Sequence, residues 1–332
     1  MRVHHLAWLS MAGEGKRDYP ASIGYQSPWY KEYGYVESHF ARVAVAMTRG
    51  KALTRVGVIH PIESYWISFG PNGNGDERGI RDQAFGDLTN WLLHGLIDFD
   101  FISESLLPGQ IKKGPEGKLT VGACQYDVII LPNLKTIRST TLKILRDFSR
   151  SGGKIIVAGS APAFVDACVP NSNPTIESSK SVLFSQQAIL PSLDEFRDLR
   201  ITIDNHMPKD GFLYQMRQDG DERFVFICHR ERNLPASTTV KLRGSWEVEK
   251  MDSLSGEEST IKAHLSKGWT IFPYKFEGCA SLLLRLSPSF GSEEEPTPSP
   301  LDTEGAKLAS GITIDSKHAS SLLNPLISYR IR

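Results

Sequence analysis

The sequence predicts an α/β sheet unit over roughly residues 53–165 followed by a β-rich unit over roughly residues 195–288. Short apolar runs at Arg55–His60, Tyr126–Leu131 and Lys154–Ala158 are separated by segments whose apolar residues recur every three or four positions. That alternation of strand and helix periods builds a parallel sheet. Beyond about residue 195 the helical period disappears and strand-like runs recur at the spacing of a small all-β unit. Between the two, residues 161–195 are rich in Pro, Ser and Asn and show little periodicity, as expected of a loop-rich connection.

In chain order, Met1–Ser10 is one strand-like apolar run followed by a long polar and aromatic loop, and Val36, Phe40, Val43, Ala44 and Met47 then recur at helical spacing up to Arg49-Gly50. One strand, a loop and one helix cannot bury themselves, so residues 1–52 are expected to be the remnant of a larger unit. Arg55–His60 is a compact strand that stops at Pro61. Ala84, Phe85, Leu88, Trp91, Leu92 and Leu96 form one helical stripe, after which Ile97, Phe99 and Phe101 alternate as a strand. Tyr126–Leu131 is the continuous apolar run of a strand buried on both faces. A helical stripe at Leu142, Leu145 and Phe148, then Gly152-Gly153, leads into the strand Lys154–Ala158. This order implies a doubly wound, flavodoxin-like sheet, and the unit is drawn as 53–194 with its loop-rich tail. From 195 to 288, seven strand-like runs (Phe212–Met216, Arg223–His229, Thr238–Leu242, Trp246–Met251, Thr260–His264, Trp269–Phe272 and Ala280–Leu286) predict an antiparallel β-sandwich, with a hairpin turn at Gln218-Asp219-Gly220-Asp221. Residues 289–332 are expected to be an acidic, proline-rich linker and an incomplete C-terminal segment.

Charge narrows the function. Lys plus Arg and Asp plus Glu each number 38, so no excess positive field attracts nucleic acid, and no apolar run is long enough to span a membrane. The chain as given is expected to be cytoplasmic. Cys124, Cys168, Cys228 and Cys279 lie far apart with no Cys-x-x-Cys, so they are expected to be buried small apolar residues; no metal and no organic cofactor is implied. Gly70-Pro71-Asn72-Gly73-Asn74-Gly75 with Gly79 resembles a phosphate loop in composition only, because about ten residues separate it from the strand ending at His60. Class I glutamine amidotransfer needs a cysteine in the elbow after the central strand, and Leu131-Pro132-Asn133-Leu134 has none.

The N-terminal loop is the stretch densest in chemistry. It combines His4, His5, Trp8, Glu14, Lys16, Arg17, Asp18, Tyr25, Gln26, Trp29 and Tyr30, a mixture suited to sugars: aromatic faces cover the C–H surfaces of a pyranose while fixed polar groups bond its hydroxyls. A packed interdomain loop with solvated charges is the alternative. Glu14 and Asp18 have the residue types of a glycosidase carboxylate pair, but four positions apart in one loop they suit ion pairs with Lys16 and Arg17 better.

His4-His5-Leu6-Ala7-Trp8, Lys16-Arg17-Asp18-Tyr19-Pro20 and Tyr25-Gln26-Ser27-Pro28-Trp29 resemble the last strand, loop and helix of a glycoside hydrolase (β/α)8 barrel. Tyr126–Pro132 with Ser151–Ile156, and Met251–Glu257, resemble the class I amidotransferase-like and small β domains that follow the barrel in trimeric β-galactosidases and rhamnosidase-like enzymes. The resemblance implies a fragment of a glycoside hydrolase acting on O-glycosidic bonds, inactive alone because the catalytic carboxylates come from earlier barrel strands; it assigns no catalytic residue to this chain. It implies a carbohydrate partner, contacted through His5, Trp8, Lys16, Arg17, Asp18 and Trp29, and either homo-oligomer assembly or a missing N-terminal barrel. The alternative is a non-catalytic carbohydrate-binding or oligomer-assembly module.

Overall fold

The computed structural model describes residues 28–70, 75–203 and 211–289, all within one unit that runs to Glu293. Helix α1 (Tyr33–Met47) comes first, followed by the two-residue strand β1 (Lys51–Ala52) and then β2 (Val56–Ile59), whose four residues are all buried. Helices α2 (Ile62–Trp66) and α3 (Gly75–His94) lead to β3 (Phe99–Ile102). A four-residue helix α4 (Leu107–Gln110) opens a small antiparallel sheet of β4 (Ile111–Lys112), β5 (Leu119–Val121) and β6 (Cys124–Tyr126). The chain then enters β7 (Val128–Pro132), and β8 (Thr136–Ile137) precedes helix α5 (Ser139–Arg150). The remainder of this part is β9 (Lys154–Ala158), β10 (Phe164–Val165), which pairs with β8, β11 (Lys180–Val182) and helix α6 (Gln186–Ser192).

The main sheet holds β11, β9, β7, β2 and β3 in that order, every neighbouring pair parallel. Counted along the chain the order is 2-1-3-4-5, with the reversal between β2 and β7. Its strands are continuous apolar runs because alternate side chains serve two cores. Ile59, Ile129, Leu131, Ile155 and Val157 face Leu142, Leu145 and Phe148 of α5. Val56, Val58, Val128, Ile130, Ile156 and Ala158 face Leu88 and Leu92 of α3 and Ile189 of α6. The turn into β9 must come close to that packing: a Cβ on Gly153 would lie 2.1 to 2.3 Å from the Phe148 ring.

The rest is antiparallel: β12 (Leu199–Ile203), β13 (Phe212–Asp219), β14 (Glu222–His229), β15 (Ala236–Arg243), β16 (Trp246–Met251), β17 (Glu258–Ile261), β18 (His264–Ser266), β19 (Trp269–Phe276) and β20 (Ser281–Pro288). Six strands form one sheet in the order β1-β13-β14-β20-β16-β17, and four form another in the order β12-β15-β19-β18. Phe212, Met216, Val225, Ile227, Leu282, Leu284 and Leu286 of the first share one core with Leu199, Val240, Leu242, Phe272 and Phe276 of the second. Phe224 and Leu283, on the opposite face, receive Ala46 and Met47 of α1. The chain is thus a mixed α/β structure with parallel and antiparallel sheets.

Several expectations need correction. Tyr126–Leu131 is two strands from different sheets, broken at Asp127, whose side chain is tied to Arg55 and Lys118. The loop-rich stretch 161–195 contains β11 and α6; β11 is an edge strand with two exposed residues in three, so it lacks the apolar run that marks its neighbours. Thr260–His264 divides at Lys262-Ala263 into β17 and β18, which belong to different sheets. Lys51–Ala52, read as the end of the N-terminal remnant, pairs with β13. All four cysteines are free thiols; Cys124 and Cys228 are half-buried, but Cys168 and Cys279 are exposed because both lie in surface turns with positive φ at or beside them. Among the described residues no helix is long and apolar enough to cross a membrane, and no His, Cys, Asp and Glu cluster could hold a metal ion.

Candidate functional site

Five of the six sugar-site candidates, His5, Trp8, Lys16, Arg17 and Asp18, lie outside the described residues, as do Glu14 and the other residues of the N-terminal loop up to position 27. Trp29 is described: it stands in the turn before α1 with its side chain 56 % exposed. Among the described residues, two places lie at the ends of the parallel strands.

The first lies beyond the C-terminal ends of the parallel strands, where β2 and β7 diverge and open α/β sheets bind ligands. The turn after β7 places Asn133 at φ +47°, a left-handed conformation that asparagine tolerates better than most residues. Its N–H donates to the Ala158 carbonyl at 2.8 Å, and its Oδ1 accepts from the Ser160 N–H at 3.3 Å. An elbow is present, with an amide where a nucleophile would be needed. Beside it Lys135 Nζ donates to Glu77 Oε1 at 3.0 Å, and the same oxygen accepts from Arg81 Nη2 at 3.0 Å and from Ser68 Oγ at 3.0 Å. Hydrogen bonds from Lys135, Arg81 and Ser68 hold the Glu77 carboxyl down to about 2. The space left among Pro61, Tyr65, Phe85, Asn133 and Phe184 is about 20 Å³, room for about one water. Helix α2 also separates β2 from the glycines around position 73, so the phosphate-loop arrangement does not form among the described residues.

The second is a cleft of about 740 Å³ at the opposite, N-terminal end of β2 and β7, where the chain passes from the antiparallel sheet into the parallel one. The crossing segment Gly50–Arg55 forms one wall. It runs so close to the β13–β14 hairpin that a Cβ on Gly50, at φ +48°, would lie 1.9 Å from the Gln218 carbonyl oxygen. Lys118, Asp127, Asp198, Arg223 and Arg243 supply the charged lining, together with Lys51, Arg55 and Asp219. Arg55 Nε and Lys118 Nζ each donate to Asp127 at 2.6 Å. Burial opposes ionisation there, but those two bonds outweigh it and hold the Asp127 carboxyl below the usual range. Asp127 is therefore fixed as a carboxylate and is no proton donor.

Asp198 is surrounded rather than bonded: Arg55, Arg223 and Arg243 approach it at 3.9, 3.8 and 3.9 Å. Burial pushes its carboxyl up, and the three guanidinium groups oppose that rise. Aromatic rings orient the cations, with Arg223 4.6 Å from the Trp246 centroid, Arg243 4.8 Å from Trp269 and Arg55 5.8 Å from Phe196. Arg243 also donates to the carbonyls of Arg197 and Glu195 at 2.6 and 2.9 Å, which clips the segment before β12 in place. Arg223 has no such anchor on its Nε, which is buried without a hydrogen-bond partner.

No protein-family model matches the chain, and no curated protein matches it. Solved structures do match, as folds. A rhamnosidase from Novosphingobium sp. PP1Y overlays 84 % of this chain with a TM-score of 0.63 at 15 % identity. A β-galactosidase from Bacillus circulans sp. alkalophilus overlays 84 % with a TM-score of 0.56 at 10 % identity, and a GH42 β-galactosidase from G. stearothermophilus overlays 80 % with a TM-score of 0.52 at 10 % identity. The chain spans 27 %, 48 % and 46 % of those chains respectively, so it has the fold of one part of a glycoside hydrolase.

Proposed function

We propose that this chain is the non-catalytic part of a glycoside hydrolase, supporting cleavage of O-glycosidic bonds whose acid and nucleophile carboxylates come from elsewhere in the enzyme. The observation that carries the reading is the overlay of 84 % of this chain on only 27 % of a rhamnosidase. The 2-1-3-4-5 parallel order supports taking residues 53–194 as a flavodoxin-like, amidotransferase-like domain, and the Asn133 elbow supports its having lost that chemistry. The two sheets around one core support a β-sandwich over 195–288. Tyr35, Val36, Phe40 and Val45 on α1 are exposed, which suits a helix that belongs to a barrel over residues 1–52. In this reading His5, Trp8, Lys16, Arg17, Asp18 and Trp29 line one side of the sugar site.

The same exposed apolar side chains on α1 favour a second reading, an oligomer-assembly module. One experiment separates them: hydrolysis of a panel of chromogenic glycosides by the purified 332-residue chain, beside a form extended through upstream coding sequence, with masses measured by light scattering. Turnover only by the extended form is expected. Turnover by the shorter chain overturns the accessory role, and inactivity of both with a stable oligomer favours assembly.

A further inference from the structure

The charges lining the cleft at the foot of β2 and β7 do not balance. Four half-buried cations, Arg55, Lys118, Arg223 and Arg243, face two carboxylates, Asp127 and Asp198, while Lys51 is exposed and Asp219 pairs with Arg49. A network that only tied the two sheets together would be expected to approach neutrality, because an uncompensated buried charge is costly. Here the compensation is weakest at Arg223: its one carboxylate neighbour stands at 3.8 Å and its Nε has no acceptor. The cleft is also open to a ligand, since the side chains of Arg223, Arg243 and Lys118 remain 18 %, 34 % and 37 % exposed. Guanidinium groups placed over Trp246 and Trp269, at 4.6 and 4.8 Å from the ring centroids, lose less freedom when they engage an anion than unsupported ones would.

We infer that this cleft binds an oxyanion, a carboxylate or a sulfate or phosphate group of a small molecule, with Arg223 as the principal anchor and Lys118 and Arg243 completing the positive rim. Such groups accept the paired N–H bonds of an arginine fork, and a neutral sugar alone would leave the excess charge unmet. The burial that pulls the Arg223 guanidinium down, opposed mainly by Asp198, has the same origin and is relieved by a second anion. The inference is independent of the glycosidase reading.

The test is calorimetric titration of the full chain with inorganic sulfate, inorganic phosphate and glucuronate, each at constant ionic strength set with chloride. Saturable binding of at least one is expected, at least tenfold weaker in Arg223→Gln and severalfold weaker in Lys118→Gln. Binding of glucuronate alone assigns a carboxylate ligand, and binding of sulfate or phosphate assigns a tetrahedral one; either supports the site. Lys118→Gln leaves Asp127 its bond from Arg55, so it keeps the test decisive where Arg223→Gln fails to fold. Absence of saturable binding to the parent chain, or unchanged affinity in Lys118→Gln and in any folded Arg223→Gln, overturns the inference.

Discussion

Asp98, between α3 and β3, gives the sharpest test of the electrostatics at the junction of the sheets. Burial is the main reason its carboxyl is pushed up to about 7, and Asp100 adds to it, while hydrogen bonds from the Phe99 N–H and the Thr54 hydroxyl work the other way. A rise of roughly three units at about 1.36 kcal/mol each sets a ceiling near 4 kcal/mol. The side chain is only half-buried, so water screens part of this and about 2 kcal/mol is the working figure. Because the folded value lies above the unfolded one, the full stability is present below about pH 4, falls as pH rises towards 7, and is flat beyond. Asp98→Asn keeps one carbonyl oxygen as an acceptor, as the protonated acid does, but never ionises. Urea unfolding followed by far-UV circular dichroism should find variant and parent equal near pH 4 and the variant about 2 kcal/mol more stable at pH 8. A difference that does not change with pH, or a variant less stable at pH 8, refutes the argument.

Glu77→Gln should lower the thermal midpoint at pH 7, because Lys135 and Arg81 lose the carboxylate they share. That deficit should shrink as calorimetric scans move from about pH 4.5 towards 2, where the parent's own carboxyl becomes protonated. Gly153→Ala should cost about 1–3 kcal/mol in denaturant unfolding, since its Cβ needs space now filled by the Phe148 ring.

Where a strand is buried on both faces its sequence is a run of branched apolar residues, and Val56–Ile59, Val128–Pro132 and Lys154–Ala158 were legible for that reason. The helix facing them was legible from Leu142, Leu145 and Phe148, which point to one side of α5. The same logic fails at edges. Lys180–Val182 buries almost nothing, and the three strands from Ile111 to Tyr126 are two or three residues long, too short for a period to show. Asp127 misled the reading because its neighbours are apolar on both sides, yet it breaks the run to meet two cations from distant segments.

The two candidate sites differ in legibility for a physical reason. The elbow at Asn133 is made by one segment, a strand and the turn that ends it, so the absence of a nucleophile could be read directly from Leu131-Pro132-Asn133-Leu134. The cleft is made by segments scattered from Gly50 to Arg243, each contributing one or two charges at the end or edge of an element. In the sequence every one of those residues looks like an ordinary solvated arginine, lysine or aspartate. Only the crossing of the chain from β1 to β2, against the β13–β14 hairpin, brings them together. The overlays, at 10–15 % identity, carry the fold and leave the role of each side chain to be argued from its surroundings. In those surroundings the positive excess around Asp198 is a property of this chain, resting on Arg55, Arg223 and Arg243 rather than on any relative. A non-catalytic sheet domain needs only apolar faces and capped edges to persist. A cluster in which half-buried cations outnumber their carboxylates is costly to keep, and the proposed anion would offset that cost where sheet packing does not.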